Sequence, residues 1–334
     1  MNHGIDYQAM FVLNVSALRD SIDTEIISFD NGSTDLTQQV LSQAKKEKRR
    51  IRKKITEDQL ADLVTDFDVI IAGTEPITEK VMKRASHLKL ISRVGIGLDS
   101  VDLIASQKCG IKVSYTPDAP SPAVAELTIG LMLSLLRSIH VSNSQMHQGQ
   151  WYRHIGRRLE EVTIGIIGVG RIGTNVLKKI KGFNTSKIMV NDILPNKNLD
   201  IEFELEWTSK EKIYRDADII SLHLPLTHLT KNVIRKEHLQ QMKPDAILIN
   251  TSRGGIINEG DLYEVMNYGH LSGAAIDVFE QEPYKGNLRE IERCILTAHI
   301  GSMSVDCRMR MEIESTKEAI RFLLGKPVSY THLR

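Results

Sequence analysis

Residues 163–173 read TIGIIGVGRIG, and they restrict the possible folds more than any other stretch of the chain. An apolar run of strand character ends in Gly168, Gly170 and Gly173 and passes directly into TNVLKKIKGF, which has helical spacing. A strand, a glycine turn and a helix start in that order belong to a parallel sheet. The first glycine makes the tight turn, the second lets backbone approach a pyrophosphate, and the third lets the helix pack closely on the strand. The free amides and positive dipole end of the helix favour phosphate. The next apolar run, KIMVND, ends in Asp192, about 20 residues further on, where a carboxylate can accept from ribose hydroxyls and would repel a 2′-phosphate. The spacing predicts a dinucleotide site that prefers NAD to NADP.

The same alternation of short apolar runs with helical patterns extends along the chain. MFVLNV, DVIIAG, LKLISRV and GIKVSYT read as strands, with ITEKVMKRA and DSVDLIASQ between them as helices. A proline-rich joint, TPDAPSP at residues 116–122, leads into one long apolar helix, AVAELTIGLMLSLLRSIH. A second series of strands follows: TIGIIGV, KIMVND, DIISLHL, AILINT, GAAIDV and CILTAH. Residues 312–324 have helical spacing and no strand of their own, so they are expected to return and pack on the first unit. The pattern predicts an α/β protein of two doubly wound parallel-sheet domains, and 334 residues suffice for two.

Composition narrows the partners. The 43 Lys and Arg nearly cancel the 42 Asp and Glu, so no global field draws the chain to nucleic acid or anionic lipid. KKEKRRIRKK, residues 45–54, carries eight basic residues but no aromatic ones for base stacking, and reads as a solvated helix or loop. Three cysteines, Cys109, Cys294 and Cys307, lie far apart and outside any metal spacing, which argues against a zinc site or disulfide framework and for a reducing cytoplasm. No apolar run approaches the roughly 18 residues of a spanning helix, and the N-terminus lacks a signal pattern. Neither a membrane nor a resident metal is expected.

Downstream of the glycine motif, three polar side chains stand at or near strand ends: Arg253 in INTSRGG, Glu282 in DVFEQEP and His299 in TAHIGS. Ligands in open α/β sheets lie beyond the carboxyl ends of the strands, so all three belong on the cofactor's side. An arginine fork can bind a carboxylate and polarise the adjacent oxygen. A histidine can give or take a proton near neutral pH, and a nearby carboxylate orients it and favours its charged form. Together they form a set suited to moving a hydride to or from a 2-oxo acid. Gly254 and Gly255 are expected to let substrate and nicotinamide come close.

From VGIGLDSVDL through TPDAPSPAVAELT, GIIGVGRIG, HLPLTHLTKNVI, INTSRGGIINEGDL, DVFEQEP and TAHIGS, the sequence resembles the D-isomer-specific 2-hydroxyacid dehydrogenase family, and phosphoglycerate dehydrogenases within it. The resemblance implies a flavodoxin-like substrate-binding domain, residues 1–119 with 303–334, and a Rossmann NAD-binding domain, residues 120–302. It implies that Arg253, Glu282 and His299 are catalytic and that the amides of Ile96 and Gly97 hold the substrate carboxylate. It places Gly168, Gly170, Arg171, Ile172, Gly173, Asp192, His223, Pro225, Thr230, Thr251 and Asp277 along the NAD, Asp277 near the nicotinamide amide. It also implies closure of the domains about residues 116–122 and a return near Ser302. A homodimer is implied too, with the long apolar helix at or near the contact, although such a helix can equally be a core helix.

The resemblance leaves the substrate open. Arg93 precedes the carboxylate-binding turn, where phosphoglycerate dehydrogenases carry a phosphate-binding arginine, but it can equally make an internal pair. Ala72 and Gly73 stand where another such arginine is often found. The candidate reaction interconverts a D-2-hydroxy acid and its 2-oxo acid, with 3-phosphoglycerate and phosphohydroxypyruvate as one candidate pair and no C-terminal regulatory domain. Departures at Ser100 and Ala298, and in GRRLEEVTIG before the fingerprint strand, affect loop contacts more than the three catalytic candidates. The competing reading is an NAD(H)-sensing, non-catalytic corepressor on the same fold. Formate dehydrogenases resemble the family but carry glutamine where Glu282 stands.

Overall fold

The computed structural model describes residues 11–13 and 56–329. The basic run at 45–54 lies outside them. The chain divides into two compact units, one drawn from residues up to Pro120 and from Val305 onward, the other Ser121–Ser304.

The first unit holds a four-stranded sheet in the order β1 (Phe11–Leu13), β2 (Val69–Ala72), β3 (Leu90–Arg93), β4 (Lys112–Ser114). β2, β3 and β4 are parallel, whereas β1 pairs antiparallel to β2, a departure from the all-parallel expectation. β2 and β3 are buried along their whole length, as strands covered on both faces are. The helix Val305–Leu323 begins earlier than its spacing predicts and packs against β2 and β3. Small residues permit this contact: Ser92 Oγ donates to the Ser315 carbonyl at 2.8 Å, and Ser114 Oγ donates to Ser92 Oγ.

The second unit holds seven parallel strands: β5 (Thr163–Ile167), β6 (Lys187–Asn191), β7 (Leu205–Trp207), β8 (Ile219–Leu222), β9 (Ile247–Asn250), β10 (Gly273–Ile276) and β11 (Cys294–Leu296). Their order is β11-β10-β9-β8-β5-β6-β7. β7 is additional to the six strands read from sequence; with Glu206 between Leu205 and Trp207, its three residues form no apolar run. Two cores cover the two faces, one around Ile213, Leu248 and Leu262, the other around Met132, Ile164 and Leu177. Each such aliphatic side chain stabilises the fold by about 1.5–3 kcal/mol when fully buried.

The long apolar segment is two helices, Pro120–Leu136 and Ile139–His147, bent by 64°. Ser138 is left-handed, with φ 49°, and the Leu136 carbonyl accepts from Arg157 N–H at 3.1 Å instead of serving a further helical turn. Composition could not reveal this stop, because its cause is a segment distant in sequence. Among the described residues, no single helix is long and apolar enough to cross a membrane.

At the amino ends of the strands, Asp218 ties three elements together. Its carboxylate accepts from Thr163 N–H at 2.7 Å, from Lys243 Nζ at 3.0 Å and from Arg157 Nη1 at 3.2 Å.

Candidate active site

Strand order locates the ligand end. The order of the strands reverses between β5 and β8, and in doubly wound sheets ligands bind beyond the carboxyl ends at that point. Gly168 follows β5 with φ +96°, and a Cβ on it would collide with the carbonyl of His223, which follows β8. A Cβ on Gly173 would collide with the Gly168 carbonyl, so the helix Arg171–Ile180 starts directly over the turn. Gly170, its N-cap, faces open space: a Cβ would meet nothing within 4 Å, which leaves room for a phosphate at the helix start.

Asp192 is fixed by backbone, its Oδ2 accepting from Val169 N–H at 2.7 Å and its Oδ1 from Leu194 N–H at 2.9 Å. Each oxygen keeps a lone pair for a ribose hydroxyl. Burial pushes the His223 imidazole down to about 4, so the ring is neutral at pH 7. One ring nitrogen, Nε2, shares a hydrogen bond with Ser221 Oγ at 2.9 Å. The other, Nδ1, is buried without a partner among the described residues, as befits a nitrogen that meets a bound ligand. These features fit NAD.

Other cofactor candidates have internal partners. Thr251 Oγ1 and Thr128 Oγ1 share a buried hydrogen bond at 2.8 Å, and Thr230 Oγ1 donates to the Pro225 carbonyl at 2.6 Å, closing the loop after β8. Arg171 is exposed at the helix start, with Ile172 beside it partly buried.

β9, β10 and β11 are adjacent and parallel, so the loops that follow them emerge side by side. Arg253 follows β9, Asp277 and Glu282 follow β10, and His299 follows β11. His299 Nδ1 lies 3.0 and 3.1 Å from the two carboxylate oxygens of Glu282. Phe279 N–H donates to Glu282 Oε1 at 3.1 Å. Burial alone would raise the Glu282 carboxyl; the hydrogen bond and charge of His299, the Phe279 amide and the Arg253 charge outweigh it and hold the group below its ordinary range. Arg253 Nη1 donates to the Ser252 carbonyl at 2.6 Å, while Asn250 Nδ2 donates to the Arg253 carbonyl at 2.9 Å.

Asp277 has a structural task that sequence did not show. It is buried, and its Oδ1 accepts from Thr297 Oγ1 at 2.6 Å and Ile300 N–H at 2.8 Å, while its Oδ2 accepts from Gly301 N–H at 2.9 Å. His299 sits among these bonds with φ 52°, donating its own N–H to the Asp277 carbonyl at 2.8 Å. A left-handed histidine persists where its surroundings over-determine it, and the Asp277 carboxylate supplies that constraint.

Two further residues support the Glu282 loop. A Cβ on Gly254 would collide with the Phe279 carbonyl and the Glu280 amide, so this glycine admits a neighbouring loop of the protein itself. That corrects the expectation that it makes room for substrate. Glu259, whose carboxyl is raised by burial, accepts the Glu280 N–H on Oε1 at 2.7 Å. Its place directly after the N-cap Asn258 was the only sequence signal.

In the first unit, Arg93 is 7% exposed and its Nη1 donates to the carbonyls of Val94 at 2.8 Å and Ala72 at 3.3 Å. Gly95 N–H donates to Thr116 Oγ1 at 2.8 Å. The amides of Ile96 and Gly97, next along, have no internal acceptor among the described residues.

Comparison with known proteins shows the family. Residues 129–301 match the family described as D-isomer specific 2-hydroxyacid dehydrogenase, NAD binding domain. The chain is 33% identical over 276 residues to a hydroxypyruvate reductase of Thermotoga maritima, an alignment that covers 80% of this chain and 89% of that one. It is 38% identical over 283 residues to a D-3-phosphoglycerate dehydrogenase of Methanocaldococcus jannaschii, covering 82% of this chain but 54% of that longer protein. A crystal structure of D-lactate dehydrogenase from Aquifex aeolicus, complexed with NAD and lactic acid, superposes with a TM-score of 0.74 at 26% identity, covering 82% of this chain and 89% of that one. The chain belongs to the D-isomer-specific 2-hydroxyacid dehydrogenase family and is an NAD-dependent oxidoreductase.

Proposed function

We propose that His299, Glu282 and Arg253 carry out the reduction of a small 2-oxo acid to its D-2-hydroxy acid, and the reverse oxidation. Bound NADH supplies the hydride. Glu282 holds His299 through Nδ1, which leaves Nε2 to deliver a proton to the carbonyl oxygen as the carbonyl becomes a hydroxyl. Arg253 binds the substrate carboxylate and polarises the neighbouring oxygen. In the first unit, the amides of Ile96 and Gly97, which have no internal acceptor among the described residues, are open to a carboxylate. The observation that carries this reading is the His299–Glu282 pair on loops adjacent to that of Arg253.

Names among the relatives give the substrates to try: hydroxypyruvate, glyoxylate and phosphohydroxypyruvate. The test is NADH oxidation by the purified protein with each, and with pyruvate and 2-oxoglutarate. Reduction of at least one supports the reading; a protein that binds NADH and reduces none is a sensor, and the reading fails.

A homodimer and a cytoplasmic location complete the proposal. Ile139, Met146, Trp151, Tyr152 and Ile155 form an exposed apolar stretch on and after the second helix of the bent pair, of the kind a second copy covers. The three free thiols, Cys294 and Cys307 among them buried, suit a reducing compartment.

A further inference from the structure

The loops that follow β2 and β3 run side by side, joined at both ends. At one end Val94 N–H donates to the Ala72 carbonyl at 2.9 Å; at the other Ile77 pairs with Val101, Ile77 N–H donating to Ser100 and Asp102 N–H to Ile77 at 2.7 and 2.9 Å. Residues 73–76 are therefore held beside residues 95–99. The second loop carries the amides of Ile96 and Gly97, and the first carries Glu75.

Glu75 folds back over Gly73. A Cβ on Gly73 would lie 3.1 and 3.2 Å from the two carboxylate oxygens, closer than side chains ordinarily tolerate, so the glycine provides the space the carboxylate occupies. Its Oε2 is buried and has no hydrogen-bond partner among the described residues. A buried carboxylate oxygen without a donor carries an uncompensated desolvation cost, which a donor on a ligand removes.

We propose that Glu75 is a specificity-determining residue whose carboxylate accepts a hydrogen bond from a hydroxyl on the substrate's side chain and disfavours substrates whose side chain is anionic. The assignment rests on the reading that Ile96 and Gly97 hold the substrate carboxylate. The C3 group of a short 2-oxo acid so held is assigned to the adjoining loop, which the Val94–Ala72 and Ile77–Ser100 hydrogen bonds keep beside those amides. The substrate class is then a short 2-oxo acid with a neutral, hydroxylated C3. A phosphate in that place meets the Glu75 charge, and the Nη1 of Arg93 is directed to the carbonyls of Ala72 and Val94.

The test measures kcat/KM with NADH for hydroxypyruvate, pyruvate and phosphohydroxypyruvate in the full chain and in Glu75→Ala and Glu75→Gln. A hydrogen bond to a charged group predicts a preference for hydroxypyruvate over pyruvate of about tenfold or more, which Glu75→Ala abolishes. Glu75→Gln keeps an acceptor without the charge, so it retains part of that preference and loses most of the discrimination against phosphohydroxypyruvate. Unchanged ratios in both variants, or a parent protein that prefers phosphohydroxypyruvate, overturn the assignment while leaving the dehydrogenase reading intact. No reduction of any of the three by the parent overturns the assignment, and the dehydrogenase reading falls with it only if glyoxylate and 2-oxoglutarate are not reduced either.

Discussion

At the residue scale, Gly254 makes the sharpest demand on the sequence. Because its missing Cβ is what lets the Phe279–Glu280 backbone lie against the Arg253 loop, Gly254→Ala has to push that loop away, and with it Glu282. Displacing a catalytic group by about 1 Å costs on the order of a hundredfold in rate. The variant is expected to lose that much kcat/KM, and steady-state kinetics on a folded sample check it. Glu282→Gln tests the next contact. Removing the charge weakens the hold on His299 Nδ1, which lies 3.0 and 3.1 Å from the two carboxylate oxygens, so kcat for 2-oxo acid reduction is expected to fall on the order of tenfold or more with NADH affinity unchanged. An unaltered kcat contradicts the pairing. That Arg253, Glu282 and His299 follow neighbouring strands was legible in the sequence, because each comes after an apolar run in recognisable order. The supporting roles of Gly254, Glu259 and Asp277 were not, since each depends on a backbone group from another loop.

At the scale of elements, the strand pattern was readable where apolar residues stand side by side, as in Ile188–Val190 and Cys294–Leu296, and failed at β7, where Glu206 separates Leu205 from Trp207. The bend at Ser138 was hidden for a different reason: the Leu136 carbonyl is taken by Arg157, beyond any window that a helix pattern surveys. Asp218 is another long-range element. Burial alone would raise its carboxyl, but the Thr163 amide, Lys243 and Arg157 outweigh burial and lower it below the ordinary 3.8. The stabilisation is therefore present above that pH and is lost as pH falls through the lower folded value. Asp218→Ala leaves two cations and an amide facing an empty site and is expected to cost about 3 kcal/mol at neutral pH. Denaturant unfolding measures it, and the difference from the parent should shrink in acid. A constant difference down to the lowest pH at which both fold would contradict the ionic account.

At the scale of the whole molecule, cofactor binding and proton transfer are assigned to different strand ends of one sheet. The glycine turn, Asp192 and His223 gather around β5, β6 and β8, while His299 follows β11 at the sheet's edge. The two tasks should separate on mutation. The most direct test is therefore His299→Gln, compared with the parent for NADH affinity by fluorescence titration and for kcat on the best 2-oxo acid. Turnover is expected to fall at least a thousandfold, within the range that general acid catalysis provides, with the NADH dissociation constant within about twofold. Retained turnover, or loss of NADH binding together with it, would contradict the assignment of His299 as the proton donor.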